Sequence, residues 1–133
     1  MIYSKVTYKY KLERDMEVML KHFPTNISIR TKYINMEGGI LQVKAGYYCD
    51  GASGPTVDTK NAMRGAFIHD ALYQLIREGH LDFDMWKTAD KELHHTLRLD
   101  GMSKFRAWYW LKGLRLARGS AAKPTPKTLY RAP

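Results

Sequence analysis

Residues 65–75 read GAFIHDALYQL, an apolar run interrupted by His69, Asp70 and Tyr73. On a helix His69 and Tyr73 are four residues apart and share a face, whereas Asp70 is turned by about 100°. A second segment with helical spacing carries Asp90 beside Ala89 and Leu93 of its apolar stripe. If the two helices are antiparallel neighbours joined through Gly79, Asp90 meets His69 and Tyr73 across the pair. A carboxylate that accepts the hydrogen bond of one imidazole nitrogen fixes the tautomer and leaves the other nitrogen as a base. Asp70 then points towards the glycine-containing segment at residues 45–61, where its oxygen ligand could combine with loop carbonyls to hold a hard cation such as calcium. The same residues also read as a satisfied polar pair near a helix start, where the helix dipole favours a carboxylate.

Other residues offer competing chemistry. His94, four residues after Asp90, allows a transition-metal set of His69, Asp70, Asp90 and His94. Cys49 lies next to Asp50, whose charge opposes thiolate formation, so it is expected to be a small buried residue. As the only cysteine it excludes an intramolecular disulfide and a multi-cysteine metal site. The run Trp108, Tyr109, Trp110 with Lys104, Arg106, Lys112 and Arg115 fits either an anionic membrane interface or a packed helix with solvated basic flanks.

The elements that position these groups follow from periodicity. With 133 residues the chain is the size of one domain, expected at residues 1–118 with a basic, proline-containing tail at 119–133. The fold class expected is α+β, a small N-terminal antiparallel sheet followed by a three-helix region. Residues 26–34 and 40–43 flank an Asn-Met-Glu-Gly-Gly turn and predict a hairpin. Met and Leu content predicts a short helix from Glu13 to His22, ended by Pro24. Helices are predicted from Lys60 to about Gly79, from Trp86 to near Gly101, and after a Ser103 cap. In the third, Phe105, Trp108, Leu111 and Leu114 form the expected apolar stripe.

The net charge of +9 implies attraction to polyanions. The N-terminus lacks a signal-peptide core, and no run approaches the roughly 18 apolar residues of a membrane span.

Two resemblances add to this. The order Tyr47-Tyr-Cys-Asp-Gly-Ala-Ser-Gly-Pro55, Thr56-Val-Asp58, Ala66-Phe-Ile-His-Asp-Ala-Leu-Tyr73 and Ala89-Asp90 resembles the secreted phospholipase A2 superfamily. That family has a calcium loop, a P-x-D, a C-C-x-x-H-D-x-C-Y helix and a C-D pair; its cysteines correspond to Gly65, Ala66, Leu72 and Ala89. The chain also resembles an uncharacterised family of tailed phages and prophages with D-G-A-S-x-P, H-D-A-L-Y and a following A-D, over most of residues 30–115. The first resemblance implies a phospholipase A2-like antiparallel helix pair, His69 as base, Asp90 as its orienting partner and Tyr73 as a second donor to Asp90. It also implies a calcium site at Asp70 with loop carbonyls near Tyr48 to Gly51, to which Asp50, a departure from the family pattern, could add a ligand. The activity implied is hydrolysis of lipid esters at an anionic lipid or membrane surface, with no specific nucleic acid. The loop departs from the family pattern, with fewer glycines and Asp50 in place of a cysteine or glycine. The phage resemblance implies a place in the host cytoplasm or the virion. Its alternatives are a non-catalytic virion or host-interaction protein that keeps the fold, or a hydrolase that uses another metal.

Overall fold

The computed structural model describes residues 1–6, 9–49 and 60–117. The fold is mixed α+β, two small antiparallel sheets followed by three helices. The first sheet has the order β1 (Tyr3–Val6), β2 (Lys9–Leu12) and β7 (Tyr48–Cys49), with Tyr3 opposite Leu12 and Tyr10 opposite Cys49. The second has the order β3 (Met16–Met19), β6 (Ile40–Val43), β5 (Ile34–Glu37), β4 (Ser28–Arg30).

Strict alternation explains the centre of the second sheet. Ile34, Met36, Leu41 and Val43 are fully buried on one face. On the other face Asn35 Nδ2 donates to Gln42 Oε1 at 3.0 Å across the same strand pair. The β5–β6 turn is tighter than the five-residue turn expected, because Gly38 (φ 60°) and Gly39 (φ 80°) both adopt the left-handed conformation that a two-residue hairpin loop requires. The expected strand at 26–34 is divided accordingly. Its first part is β4, its last residue opens β5, and Thr31 turns the chain by accepting from Ile34 N and donating to Ile34 O.

The helix predicted from Glu13 to His22 is a strand instead. Met16 and Leu20 are buried and Val18 half-buried, a period of two, and β3 pairs with β6 through Met16↔Val43 and Val18↔Leu41. Helix propensities of Met, Leu and Glu differ from the alternatives by well under about 1 kcal/mol per residue, so a ladder and a buried face outweigh them.

Helix α1 (Lys60–Arg77) packs on the sheets with Phe67, which faces Tyr3 and Tyr47 at ring distances of 6.0 and 6.5 Å. Its opposite side meets α2 (Trp86–Leu99), reached through Gly79 and a single 3-10 turn at Phe83–Met85. The pair is antiparallel: Arg64 binds Asp100, Gly65 lies against Leu93 and Leu97, and Tyr73 reaches Asp90. A Cβ on Gly65 would stand 2.7 Å from Leu93 Cδ1, so glycine is what lets the helices approach this closely. At the open end Arg64 grips Asp100 with Nε at 3.1 and 3.0 Å and Nη2 at 2.8 Å.

Helix α3 (Lys104–Ala117) begins at Ser103, whose Oγ accepts from Arg106 N at 3.2 Å. Its buried stripe is Ala107 and Trp110, with Leu114 packed alongside, against Leu93, Leu97 and Met102. This corrects the expected stripe. Phe105 is 75% and Trp108 49% exposed, so an aromatic face points outward. The stripe is offset because small Ala107 permits close contact with α2, and a neutral reading of aromatic spacing does not register that. Among the described residues no helix is long and apolar enough to cross a membrane.

Candidate active site

The α1–α2 pair brings His69, Tyr73 and Asp90 together. Asp90 occupies the inward stripe of α2 with Trp86, Ala89, Leu93 and Leu97, and it is completely buried. Its Oδ1 lies 2.7 Å from His69 Nε2 and accepts the Tyr73 hydroxyl at 2.7 Å. The imidazole and phenol rings lie against each other, centroids 4.0 Å apart. A carboxylate only accepts, so Nε2 carries the proton in this bond, and in the neutral ring the lone pair is on Nδ1. The His69 side chain remains 13% exposed, which leaves the ring a route to solvent.

A buried carboxylate needs more than hydrogen bonds on one oxygen. The second requirement is met by Arg115 of α3, whose Nε is 3.9 Å from Asp90 Oδ2. The guanidinium sits over the Trp86 ring at 5.7 Å, and Nη2 donates to Lys87 O at 3.3 Å. Neither Asp90 Oδ2 nor Arg115 Nε makes a hydrogen bond, so their interaction is Coulombic at close range in a poorly solvated setting. Sequence reasoning grouped Arg115 with the basic flank of α3 and missed this role. The available signal was charge balance: an aspartate in an apolar stripe demands a cation. Which one supplies it depends on the α2–α3 register.

These surroundings also act on Tyr73. Burial, then the hydrogen bond to Asp90 and its charge, raise its pKa well above the usual phenol value of 10.0, with Arg115 opposing. Tyr73 is therefore a neutral donor wherever Asp90 is an anion. Tyr47 is raised in the same direction, first by burial and then by the charge of Asp70. The linkage has a definite sign. Below pH 10 the phenols are protonated in both folded and unfolded chains, and their contribution is fully present. Above it the unfolded phenols lose protons that the folded ones retain, so stability falls as pH rises, by about 1.4 kcal/mol per pH unit for each such tyrosine. Urea titrations between pH 9 and 11 should show this slope, and Tyr73→Phe should remove its share; an unchanged slope in the variant would show that Tyr73 ionises freely.

Asp70, one residue around α1, is half-buried and accepts the Tyr47 hydroxyl on Oδ2 at 3.1 Å. It supplies one hard oxygen of the kind calcium takes. Asp50 and Gly51, the other expected calcium ligands, lie outside the described residues, as do the rest of the loop to residue 59 and the tail from residue 118. Among the described residues no group of three or more His, Cys, Asp or Glu side chains could hold a metal ion. His69, Asp70, Asp90 and His94 therefore do not form the transition-metal set considered from the sequence; His94 opens instead into a cleft with His22 and His95. Cys49 is buried in β7.

The arrangement can hold an imidazole in one tautomer, present its free nitrogen near the surface and stabilise a positive charge on it. Comparison with protein families, with curated proteins and with solved structures finds no match for this chain.

Proposed function

We propose that the chain is a phage-associated, phospholipase A2-like hydrolase of lipid esters with His69 and Asp90 as its dyad. The observation that carries this reading is the buried Asp90 carboxylate bonded to His69 Nε2, an arrangement that leaves Nδ1 as a base. Nδ1 takes a proton from a water molecule as that water attacks the ester carbonyl; the tetrahedral adduct then breaks its bond to the alkoxide, which leaves with the proton returned from Nδ1. Asp90 stabilises the imidazolium that forms, and Tyr73 keeps the carboxylate oriented. Arg115 lies opposite the far oxygen of Asp90 and offsets its charge. Calcium held by Asp70 with Asp50 and Gly51 would supply Lewis-acid stabilisation of the oxyanion.

The outer face of α3 supports a lipid surface as the partner. Phe105, Trp108, Tyr109 and Leu116 are exposed together there. Lys112 Nζ lies 5.7 Å over the Trp108 ring, and Lys104 stands at the helix start. Apolar side chains edged by lysines match the boundary between acyl chains and anionic headgroups.

A second reading has its own support. Asp90 contacts α1 through His69 and Tyr73 and α3 through Arg115, so it joins three helices whether or not a reaction occurs. A non-catalytic virion or host-interaction protein that keeps the fold would hold the same network. Purified protein with anionic phospholipid vesicles decides between them. The hydrolase releases fatty acid and lysolipid when calcium is present and stops when a chelator is added in excess. No release at any calcium concentration would end the hydrolase reading and leave the second.

A further inference from the structure

Away from the dyad, α2 carries a basic stripe. Lys91, His94, His95 and Arg98 are spaced i, i+3, i+4, i+7, so they lie along one side of the helix. They form one wall of a cleft of about 370 Å³. Lys21 and His22, from the segment between β3 and β4, form another wall, and Leu111 of α3 lines it as an apolar contact. The segment is held in place by Glu92, which is buried and accepts the backbone N–H of His22. His22 and His95 meet edge to face, ring centroids 6.1 Å apart.

The charges in this cleft are of one sign. Lys21, Lys91 and Arg98 are cations, three imidazoles stand beside them, and no aspartate or glutamate is among the described residues that line it. Clustered cations in a concave site concentrate field lines and attract an anion. A divalent metal is disfavoured, since the flanking lysines repel it and the histidines form no metal-holding group with other described ligands. His94 responds to these surroundings: burial, then Arg98 and His95, pull it below the usual histidine value. An anion in the cleft would offset the latter two effects.

We propose that this cleft binds a phosphate group, as inorganic phosphate or as a small phosphomonoester. Lysine and arginine make charge-assisted hydrogen bonds to phosphate oxygens, and imidazole N–H groups add donors that become stronger on protonation. The volume exceeds that of a bare phosphate and falls in the range of small-molecule sites, about 300–1,000 Å³. Leu111 offers contact to an organic portion. None of the cleft residues belongs to the dyad, so the inference stands apart from the hydrolase reading.

The test is a titration of the full chain followed by NMR of the histidine ring protons, at constant ionic strength, with chloride as reference. Inorganic phosphate and glycerol 1-phosphate are the probes. Saturable shifts of His94 and His95 are expected with either; tighter binding of glycerol 1-phosphate assigns the site to phosphomonoesters, and equal binding to the phosphate group alone. Lys21→Ala with Lys91→Ala should weaken binding about tenfold or more. Both side chains are exposed, so the doubly substituted chain should keep its urea midpoint. Arg14→Ala with Arg30→Ala, which removes the same charge elsewhere, should leave affinity unchanged. Equal weakening by both pairs would overturn the proposal in favour of diffuse net-charge attraction. Shifts that appear only with phosphatidic acid vesicles or an oligonucleotide, and with neither small probe, would overturn it as well.

Discussion

Asp90→Ala is expected to lower the stability of the folded chain by about 3–5 kcal/mol, the cost of removing a buried carboxylate on which two hydrogen-bond donors and a nearby cation depend. Three groups lose their counterpart at once. The Tyr73 hydroxyl and His69 Nε2 lose the acceptor each reaches at 2.7 Å, and Arg115 loses the anion opposite Nε. Arg115 is about one-third exposed and can turn towards water, which places the loss nearer the lower end of that range. Against a typical total of about 5–15 kcal/mol this is a large fraction. The measurement is urea denaturation, with a lower midpoint and an unchanged slope. Adding Arg115→Met to Asp90→Ala should recover part of the loss, since the uncompensated guanidinium goes with its partner. A loss under about 1 kcal/mol would mean that Asp90 is not the centre of a coupled network.

What could be read from the sequence and what could not divides along physical lines. Helical period and the glycines at 79 and 101 were enough to locate α1 and α2, because both glycines take the left-handed conformation, φ 81° and 92°, that ends a helix cleanly. From there the i, i+4 spacing of His69 and Tyr73 places both side chains towards α2, and Asp90 lies where they point. The β3 segment was misread because its two periodicities compete in the residues DMEVML, and the strand that decides between them, β6, is distant in sequence, Met19 pairing with Ile40 and Met16 with Val43. The outward face of α3 was misread for a similar reason: Phe105 and Trp108 are at helical spacing, but so are Ala107, Trp110 and Leu114, and packing against Leu93 and Leu97 selects the smaller set. Arg115 shows the same limit at the site itself. Local spacing finds partners on one helix or on a tightly linked pair; it does not find a counter-ion delivered by a third element.

His69→Gln separates the chemistry from the scaffold that carries it. The glutamine amide nitrogen can still donate to Asp90 Oδ1, which preserves the acceptor's partner and most of the packing against Tyr73. What it lacks is a basic nitrogen at the position of Nδ1, and an amide cannot take the proton of an attacking water. Ester hydrolysis on anionic vesicles should therefore fall about 10²- to 10⁴-fold, the usual contribution of a positioned general base, while the urea midpoint moves little. His69→Ala is the harsher comparison. It removes the base and also leaves Asp90 with one hydrogen bond fewer, so it should lose both activity and stability. The contrast between the two variants carries the argument: a merely structural histidine would make Gln benign in every assay, whereas a base makes Gln folded and inert. Hydrolysis by His69→Gln at the rate of the unaltered chain would remove His69 from the reaction and with it the dyad.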